Sequence, residues 1–285
     1  MNHKSWIWEG TGVMKWREKI IQTKAYLYVY KTQIQKCLAY RFDVYGNIVM
    51  QCIIMFATAF FWKALYAEAD VVQGVDVRSM LVYTVISSMM SVLLTTNVEH
   101  RVIQSVEKGT VATDMLRPVN LFGIYFFEDL GAVTALLFQN MIPIFLIGSI
   151  CIALPRPAGI SAFLGFLASL LMAFLINWLL AGCFSMWAFS AINMNPMVQI
   201  KKHLIRLLSG SIIPMWFFPE WLSNILNVLP FVYIYQLPLD LYIGKCKVVD
   251  AIPRLAIQLG WVCILSVLFC FLQKRVTRRV LVQGG

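Results

Sequence analysis

The feature that most constrains this chain is a long apolar stretch interrupted by proline. Residues 207–242 carry almost no charge, yet four prolines break them: Pro214, Pro219, Pro230 and Pro238. An apolar stretch of this length belongs in lipid. Backbone broken by proline leaves N–H and C=O groups that lipid cannot satisfy. We therefore expect the segment to enter the bilayer, turn back on itself against other protein and leave again, which is more typical of transporters and channels than of simple anchors.

Composition places the whole chain in a membrane. It is 60% hydrophobic and 13% charged, whereas soluble domains are about 45–50% apolar and about 25% charged. Hydropathy indicates five spans, and residues 203–218 supply a sixth crossing. We therefore predict an all-α polytopic membrane protein with six transmembrane helices and re-entrant helices before the last span. The five spans read from hydropathy are 48–66, 80–98, 130–154, 160–189 and 255–272.

The basic residues predict the orientation. One side of the predicted topology holds eight Lys and Arg in 1–47, three in 99–129, three in 190–206 and four in 273–285. The other side holds the remaining six of the 24. Because cytoplasmic loops carry the excess of Lys and Arg, we expect both termini inside the cell. The net charge of +10 is spread over four segments, so it indicates topology and does not predict a nucleic-acid partner.

The N-terminal segment has no apolar run or cleavage site typical of a signal peptide. Residues 1–14 are interpreted as a candidate disordered extension. Apolar and basic residues alternate over 15–45 in a pattern typical of an amphipathic helix lying in the membrane interface. An ordinary solvated helix packed on the bundle is the alternative.

Nothing in the sequence predicts catalysis. The three histidines lie in no metal-binding motif, and the seven cysteines include no C-x-x-C pair, so we expect neither a metal site nor catalytic residues. Gly244 and Lys245 lack the other residues of a phosphate-binding loop. We therefore expect no cofactor bound by this chain and no ATP hydrolysis by it alone.

The loop after the second span is the most patterned polar segment. Apolar residues keep a helical spacing over 99–116, Gly109 breaks the pattern, and Arg117 and Pro118 end it. A short amphipathic helix that protrudes and returns, over 99–122, would offer a partner a docking surface. The alternative is that Gly109 and Pro118 are only turn residues.

Several polar and aromatic residues lie in or beside the spans. Glu128 and Asp129 are expected to pair with Arg117 or a lysine of the first segment, and Arg206 to extend toward the cytoplasm. Amides within spans either join helices or line a polar substrate path: Gln139, Asn140 and Asn177. Four aromatic residues of the proline-interrupted stretch suit either the aromatic belt at the membrane interface or a gate: Trp216, Phe217, Phe218 and Trp221.

Together these features resemble the type-2 ABC transporter permeases over nearly the whole chain from about Trp16. The resemblance is carried by the order of the basic N-terminal helix, the loop G-T-V-A-T-D-M-L-R-P from Gly109 and the E-D-L-G that follows it. The P-x-x-x-F-P-x-W and L-P-F stretch before the last span adds to it, and so does the tail from Lys274. It implies a membrane-spanning permease subunit of an ATP-driven exporter in a bacterial cytoplasmic membrane.

The resemblance further implies partners and site residues. Two ATPase subunits, which bind ATP and Mg, would dock below two permeases, the second often a different chain, in contact with membrane lipids. Residues at the ATPase contact would be Glu107, Lys108, Gly109, Arg117 and Pro118. The re-entrant gate of 214–242 would include Pro214, Trp216, Phe217, Phe218, Pro219, Trp221 and Pro230. The apolar pathway suggests a hydrophobic or amphipathic cargo such as a drug, peptide or lipid. A secondary transporter or channel that works without an ATPase is the alternative.

Overall fold

The structure, a computed structural model, describes residues 5–39, 41–67, 71–115, 119–153, 155–189 and 194–283. Of the predicted extension over 1–14, residues 1–4 lie outside this part of the chain, and so do Arg117 and Pro118 of the predicted ATPase contact. Helix α1 begins at Ser5 and therefore covers most of the segment that we interpreted as an extension.

The described residues form a helical bundle with one two-residue β-hairpin, β1 (Val71–Val72) and β2 (Val75–Asp76). A π-helical turn, Leu137–Met141, joins α6 to α7, and 3₁₀ turns occupy Met186–Phe189 and Met215–Phe217. The α-helices are α1 (Ser5–Ala39), α2 (Arg41–Leu65), α3 (Val77–Leu93), α4 (Val98–Glu107), α5 (Val111–Met115), α6 (Leu121–Leu136), α7 (Ile142–Cys151), α8 (Ile160–Ser185), α9 (Asn195–Leu208), α10 (Glu220–Val228), α11 (Gln236–Ile243) and α12 (Val248–Gln283).

Five helical stretches of the described chain are long and apolar enough to cross a membrane. They coincide with the five spans that hydropathy predicts, and they cover Val44–Leu65, Val77–Glu107, Leu121–Cys151, Ile160–Phe189 and Val248–Arg278. Residues 203–218, where we expected a sixth crossing, form no single helix. They hold the end of α9, a turn with Gly210 at φ 84° and the 3₁₀ turn. Because α9 has only 14 residues, it is too short to span the bilayer alone.

The bundle has two distinct ends. At one end the hairpin, the loop before α8 and the start of α12 meet, where Lys245 donates to the Gln73 carbonyl and Tyr242 donates to the Pro155 carbonyl. At the other end α4 meets the start of α6 and α9. Successive spans therefore run in opposite directions, and Arg101 of α4 and Lys201 of α9 lie at the α4 end.

Helix α3 is the centre of the bundle. About 78% of its apolar window is buried, against 17% for α12, and it contacts α2, α7 and α11. Its hydroxyls are satisfied within the protein, since Thr84 donates to the Met80 carbonyl at 3.0 Å. The Asp76 carboxylate caps the helix by accepting from the Ser79 N–H at 3.2 Å. Hydrogen bonding from Ser79 lowers the pKa of Asp76 below its usual value.

Helix α1 packs lengthwise against α6. The Tyr26 ring stacks on Phe127 at 5.0 Å between centroids, and the Tyr30 hydroxyl donates to the Thr134 hydroxyl at 3.1 Å. Gly131 allows this approach, because a Cβ there would lie 2.7 Å from the Tyr30 carbonyl oxygen. These contacts favour the alternative of a helix packed on the bundle.

We predict that Gly131→Ala separates α1 from α6, because the backbone of α1 cannot yield to the added methyl group as a flexible side chain could. The melting temperature of the purified protein, followed by tryptophan fluorescence, is expected to fall. Gly260→Ala is the matched control, since Gly260 also lies in a membrane helix and a Cβ there meets nothing within 4 Å. Alanine is the better helix former, so the control should be neutral or stabilising, and equal melting temperatures for both variants would contradict the packing.

Candidate functional site

The segment between α9 and α12 is a compact unit of short helices and turns. Pro214 and Pro219 flank the 3₁₀ turn and both have extended ψ angles near 150°. Met215, Leu226 and Val232 form a small apolar core inside the unit. We call residues 209–243 the broken segment.

Side chains from neighbouring helices satisfy the free backbone groups of the broken segment. The Tyr83 hydroxyl donates to the Gly210 carbonyl, and the Ser87 hydroxyl donates to the Ser211 carbonyl, each at 2.6 Å. From α12, the Gln258 amide donates to the Tyr233 carbonyl at 2.8 Å. This is how a membrane protein tolerates irregular backbone, namely by burying it against other protein.

Gln236 is the hub of these interactions. Its Oε1 accepts from the Met215 N–H at 2.9 Å and from the Tyr83 hydroxyl at 3.1 Å. Its Nε2 donates to Asp240 at 2.6 Å, and the Asp240 carboxylate lies 3.6 Å from the Arg254 guanidinium. The buried amide therefore joins α3, the 3₁₀ turn and α11.

The aromatic residues predicted as a gate divide into two groups. Trp216 and Phe217 pack inward, Trp216 edge-on against Tyr83 at 5.5 Å and Phe217 stacked on Trp62 at 5.0 Å. Phe218 borders the small apolar core, whereas the Trp221 side chain is 65% exposed. Pro230 is buried and opens the turn after α10. The inward group therefore packs against Trp62 of α2 and Tyr83 of α3.

The loop after α3 folds as two short helices around a sharp turn. The Gly109 N–H donates to the Val106 carbonyl at 3.1 Å and the Thr110 N–H to the Ser105 carbonyl at 3.0 Å, which is the Schellman pattern of helix termination. Gly109 has φ 68°, a value that favours glycine. Glu107, Lys108 and Gly109 are exposed at the tip, so a partner could reach them. We call residues 98–115 the docking loop.

An ionic cluster fixes the base of the docking loop to the membrane helices. Arg101 lies 3.0 Å from Asp129 and 3.1 Å from Glu128. Asp129, whose side chain has no exposed surface, also accepts from the Trp178 indole N–H at 3.1 Å and from the Asn97 N–H at 3.2 Å. A buried carboxylate needs such partners.

Of the partners that we expected for Glu128 and Asp129, Arg117 lies outside the described residues, and among the described residues both acids pair with Arg101. The physical reason is geometric, because Arg101 also donates to the Tyr125 carbonyl at 3.1 Å, one turn before the two acids on α6. Sequence reasoning therefore missed the central cation of the cluster.

A second ion pair ties the docking loop to α9. Lys201 contacts the buried Glu99 carboxylate at the start of α4, and its ammonium group also lies 5.4 Å from the Phe184 ring. Helix α9 leads directly into the broken segment, and α3 leads directly into α4. The docking loop and the broken segment are thus joined twice.

The structure does not bring the three predicted pathway amides together. Gln139 lies on the π-helical turn and donates to the Cys37 carbonyl of α1 at 3.3 Å. Asn140 is buried on the same turn, and its Oδ1 has no partner among the described residues. Asn177 lies elsewhere, where it donates to the Leu94 carbonyl at 2.5 Å and lines a cavity of about 290 Å³.

Sequence reasoning missed Tyr83 and Gln236 as well as Arg101. A single amide within an otherwise apolar stretch is a signal that could have identified Gln236. Tyr83 offered no such signal, because tyrosine is common in membrane helices.

The geometry defines a polytopic helical membrane protein with an exposed loop at one end and a buried, broken segment toward the other. The family model described as "ABC-2 family transporter protein" matches residues 52–283. This chain therefore belongs to the ABC-2 transporter family, whose permeases are the membrane components of transporters. No curated protein and no solved structure gives a significant match.

We predict that Gln236→Leu destabilises the broken segment, because the Met215 N–H loses its buried acceptor and the Asp240 carboxylate loses a buried donor, while the Tyr83 hydroxyl keeps the Gly210 carbonyl. Each unsatisfied group costs about 1–3 kcal/mol. Hydrogen exchange measured on peptides covering 209–218 should accelerate. Gln199→Leu is the control, since Gln199 is exposed on α9. Unchanged exchange in the Gln236 variant would show that the amide does not hold the segment.

Proposed function

We propose that this chain is the permease subunit of an ATP-driven exporter in a bacterial cytoplasmic membrane, with ATP and Mg bound by separate ATPase subunits. Membership of the ABC-2 family supports the proposal. The observation that carries it is the docking loop, because its tip is exposed while Arg101 and Glu99 anchor its base in the bundle. An ATPase that changes conformation against this tip would therefore move the membrane helices to which the base of the loop is anchored.

The proposed coupling route runs from the docking loop to the broken segment. One branch follows α3 to Tyr83 and Ser87, and the other passes from Glu99 through Lys201 along α9 to Gly210. Both branches end on the same carbonyl groups of the turn after α9. A tilt of α4 would therefore act on the broken segment from two sides.

In this proposal the broken segment is the outer gate. Helix α9 and residues 209–218 together make the sixth crossing, and the rest of the segment is re-entrant. The excess of Lys and Arg at the docking-loop end supports placing that end and both termini in the cytoplasm. Pro214, Trp216 and Phe217 would move as the gate opens.

The proposed complex holds two ATPase subunits and a second permease, which is a different chain or a second copy. The tip of one docking loop would bind one ATPase subunit, so two permeases would bind two ATPase subunits. The contact of this chain would use Glu107, Lys108 and Gly109, together with Arg117 and Pro118 of the adjoining segment.

Co-purification tests the proposal directly. The tagged chain expressed from its native locus should retain an ATP-hydrolysing partner and a second six-span protein. Purified chain that moves solute down an ion gradient, with no ATPase present, would instead establish the alternative of a secondary transporter or channel.

We predict that Gly109→Pro abolishes transport-coupled ATP hydrolysis and leaves membrane insertion intact. Proline fixes φ near −65° and removes the N–H that caps α4, so the tip cannot keep its shape. Gly109→Asn is the matched control, because asparagine tolerates positive φ and keeps the N–H. Coupled hydrolysis is measured in proteoliposomes that contain the whole complex.

Arg117→Glu should also reduce coupled ATP hydrolysis, because it reverses a charge near the proposed ATPase contact.

Full coupled hydrolysis in the Gly109→Pro variant would remove the docking-loop assignment. Equal loss in the proline and asparagine variants would indicate that glycine is needed for close approach of the partner and not for the turn.

A further inference from the structure

The cavity that Asn177 lines is strongly cationic. It has a volume of about 290 Å³ and lies between α2, the end of α3 and α9. Its described lining includes three basic side chains and no acidic one. The basic residues are Lys201, Lys202 and Arg206.

One acid, Glu99, faces two of the three cations. Lys201 pairs with Glu99, which lies outside the lining. Among the described residues, Lys202 and Arg206 make no ion pair. Arg206 is half-buried and lines the cavity with Lys201 and Lys202, the residues with which we expect it to extend toward the cytoplasm. The half-buried Arg206 carries a desolvation cost unless an anion joins it, whereas Lys202 is exposed.

The rest of the lining can form hydrogen bonds. The hydroxyls of Ser91, in α3, and Thr95, just after α3, already donate to the Ser88 and Ser91 carbonyls, and Thr96 adds a buried hydroxyl. The Gln51 amide donates to the Ser91 hydroxyl and to the Ser88 carbonyl, whereas Asn177 donates to the Leu94 carbonyl and has a second N–H. The Thr96 hydroxyl and this second N–H, beside an arginine, suit the oxygens of a phosphate group.

The cavity continues toward the broken segment. A narrower cavity of about 20 Å³, room for roughly one water molecule, shares Gln51, Ser91 and Arg206 with the larger one. It then follows Ser87, Thr84 and Tyr83 up to Ser211. Polar side chains thus line a path from the cationic cavity to the carbonyl groups of the proposed gate. In this structure the path is too narrow for a molecule larger than water.

We infer that the cationic cavity binds a phosphate-type anionic group of the transported molecule. The inference rests on the proposed function, since it names the class of cargo that the permease takes. It narrows the expectation of a hydrophobic or amphipathic cargo to an anionic amphiphile or a soluble phosphate ester. Arg206 contacts the anion where the two cavities meet. Lys202, which is exposed, attracts the anion electrostatically from solvent.

The experiment measures the electrostatic preference of the cavity. The reporter is Thr95→Cys in the full-length chain, held in phosphatidylcholine nanodiscs. Two thiol reagents of similar size are compared, the anionic sulfonatoethyl methanethiosulfonate and the cationic trimethylammonioethyl methanethiosulfonate. Peptide-resolved mass spectrometry separates the reporter from the seven native cysteines. The ratio of anionic to cationic rates should exceed that of 2-mercaptoethanol.

Neutralising the cations should remove this preference. Lys202→Gln and Arg206→Gln should each lower the rate ratio roughly three- to tenfold, as expected for a unit charge several Å away in a partly shielded site. Lys63→Gln is the matched control, because it removes a charge at the far end of α2, beyond the roughly 10 Å range of screening, and should leave the ratio unchanged.

Protection of the reporter identifies the source of the anion. Protection by phosphatidylglycerol added to the nanodiscs would support a lipid headgroup, and protection by glycerol 3-phosphate would support a soluble ester. A ratio that the two neutralising variants do not change, or protection by neither probe, would overturn the inference. No ATPase takes part, so this result is independent of the docking-loop test.

Discussion

The structure depends on one constraint, namely that backbone broken inside a membrane must find its hydrogen bonds within the protein. The broken segment meets it through side chains that arrive from three helices, with Tyr83 from α3, Gln236 from α11 and Gln258 from α12. Because each lost bond leaves a buried polar group unsatisfied, these contacts hold the segment in one place.

The same constraint explains why the two ends of the bundle are linked. A segment held by side-chain contacts moves when the helices that carry those side chains move. The ionic cluster around Arg101 and the pair of Lys201 with Glu99 attach α3 and α9 to the docking loop. In the proposed function, force on the exposed tip would pass through these contacts to the carbonyl groups to which Tyr83 and Ser87 donate. The cationic cavity lies between these two helices, where a change in their separation would alter its size.

The five long spans were predictable from sequence, because lipid thickness sets their length and hydropathy records it. The break at Gly109 was predictable for a similar local reason, since a left-handed turn favours glycine. The contacts of Gln236 with Tyr83 were not predictable, because 153 residues separate the two side chains. Arg101 was missed because helix spacing identifies which face is apolar but not which acid a cation reaches. The sixth crossing expected over 203–218 is not confirmed, since these residues mix a helix end with turns that an apolar pattern does not distinguish.

The most direct test of the account is hydrogen exchange in the complex of this chain with its ATPase partner, compared with and without a non-hydrolysable ATP analogue. If the proposed ATPase subunits are the partner, the analogue should change exchange in the docking loop, at 98–110, and in the broken segment, at 209–235, together. In the double variant Arg101→Gln, Lys201→Gln, which breaks both connections, we expect the first change to remain and the second to disappear. Exchange in the broken segment that does not respond to nucleotide in the unaltered complex would contradict the account.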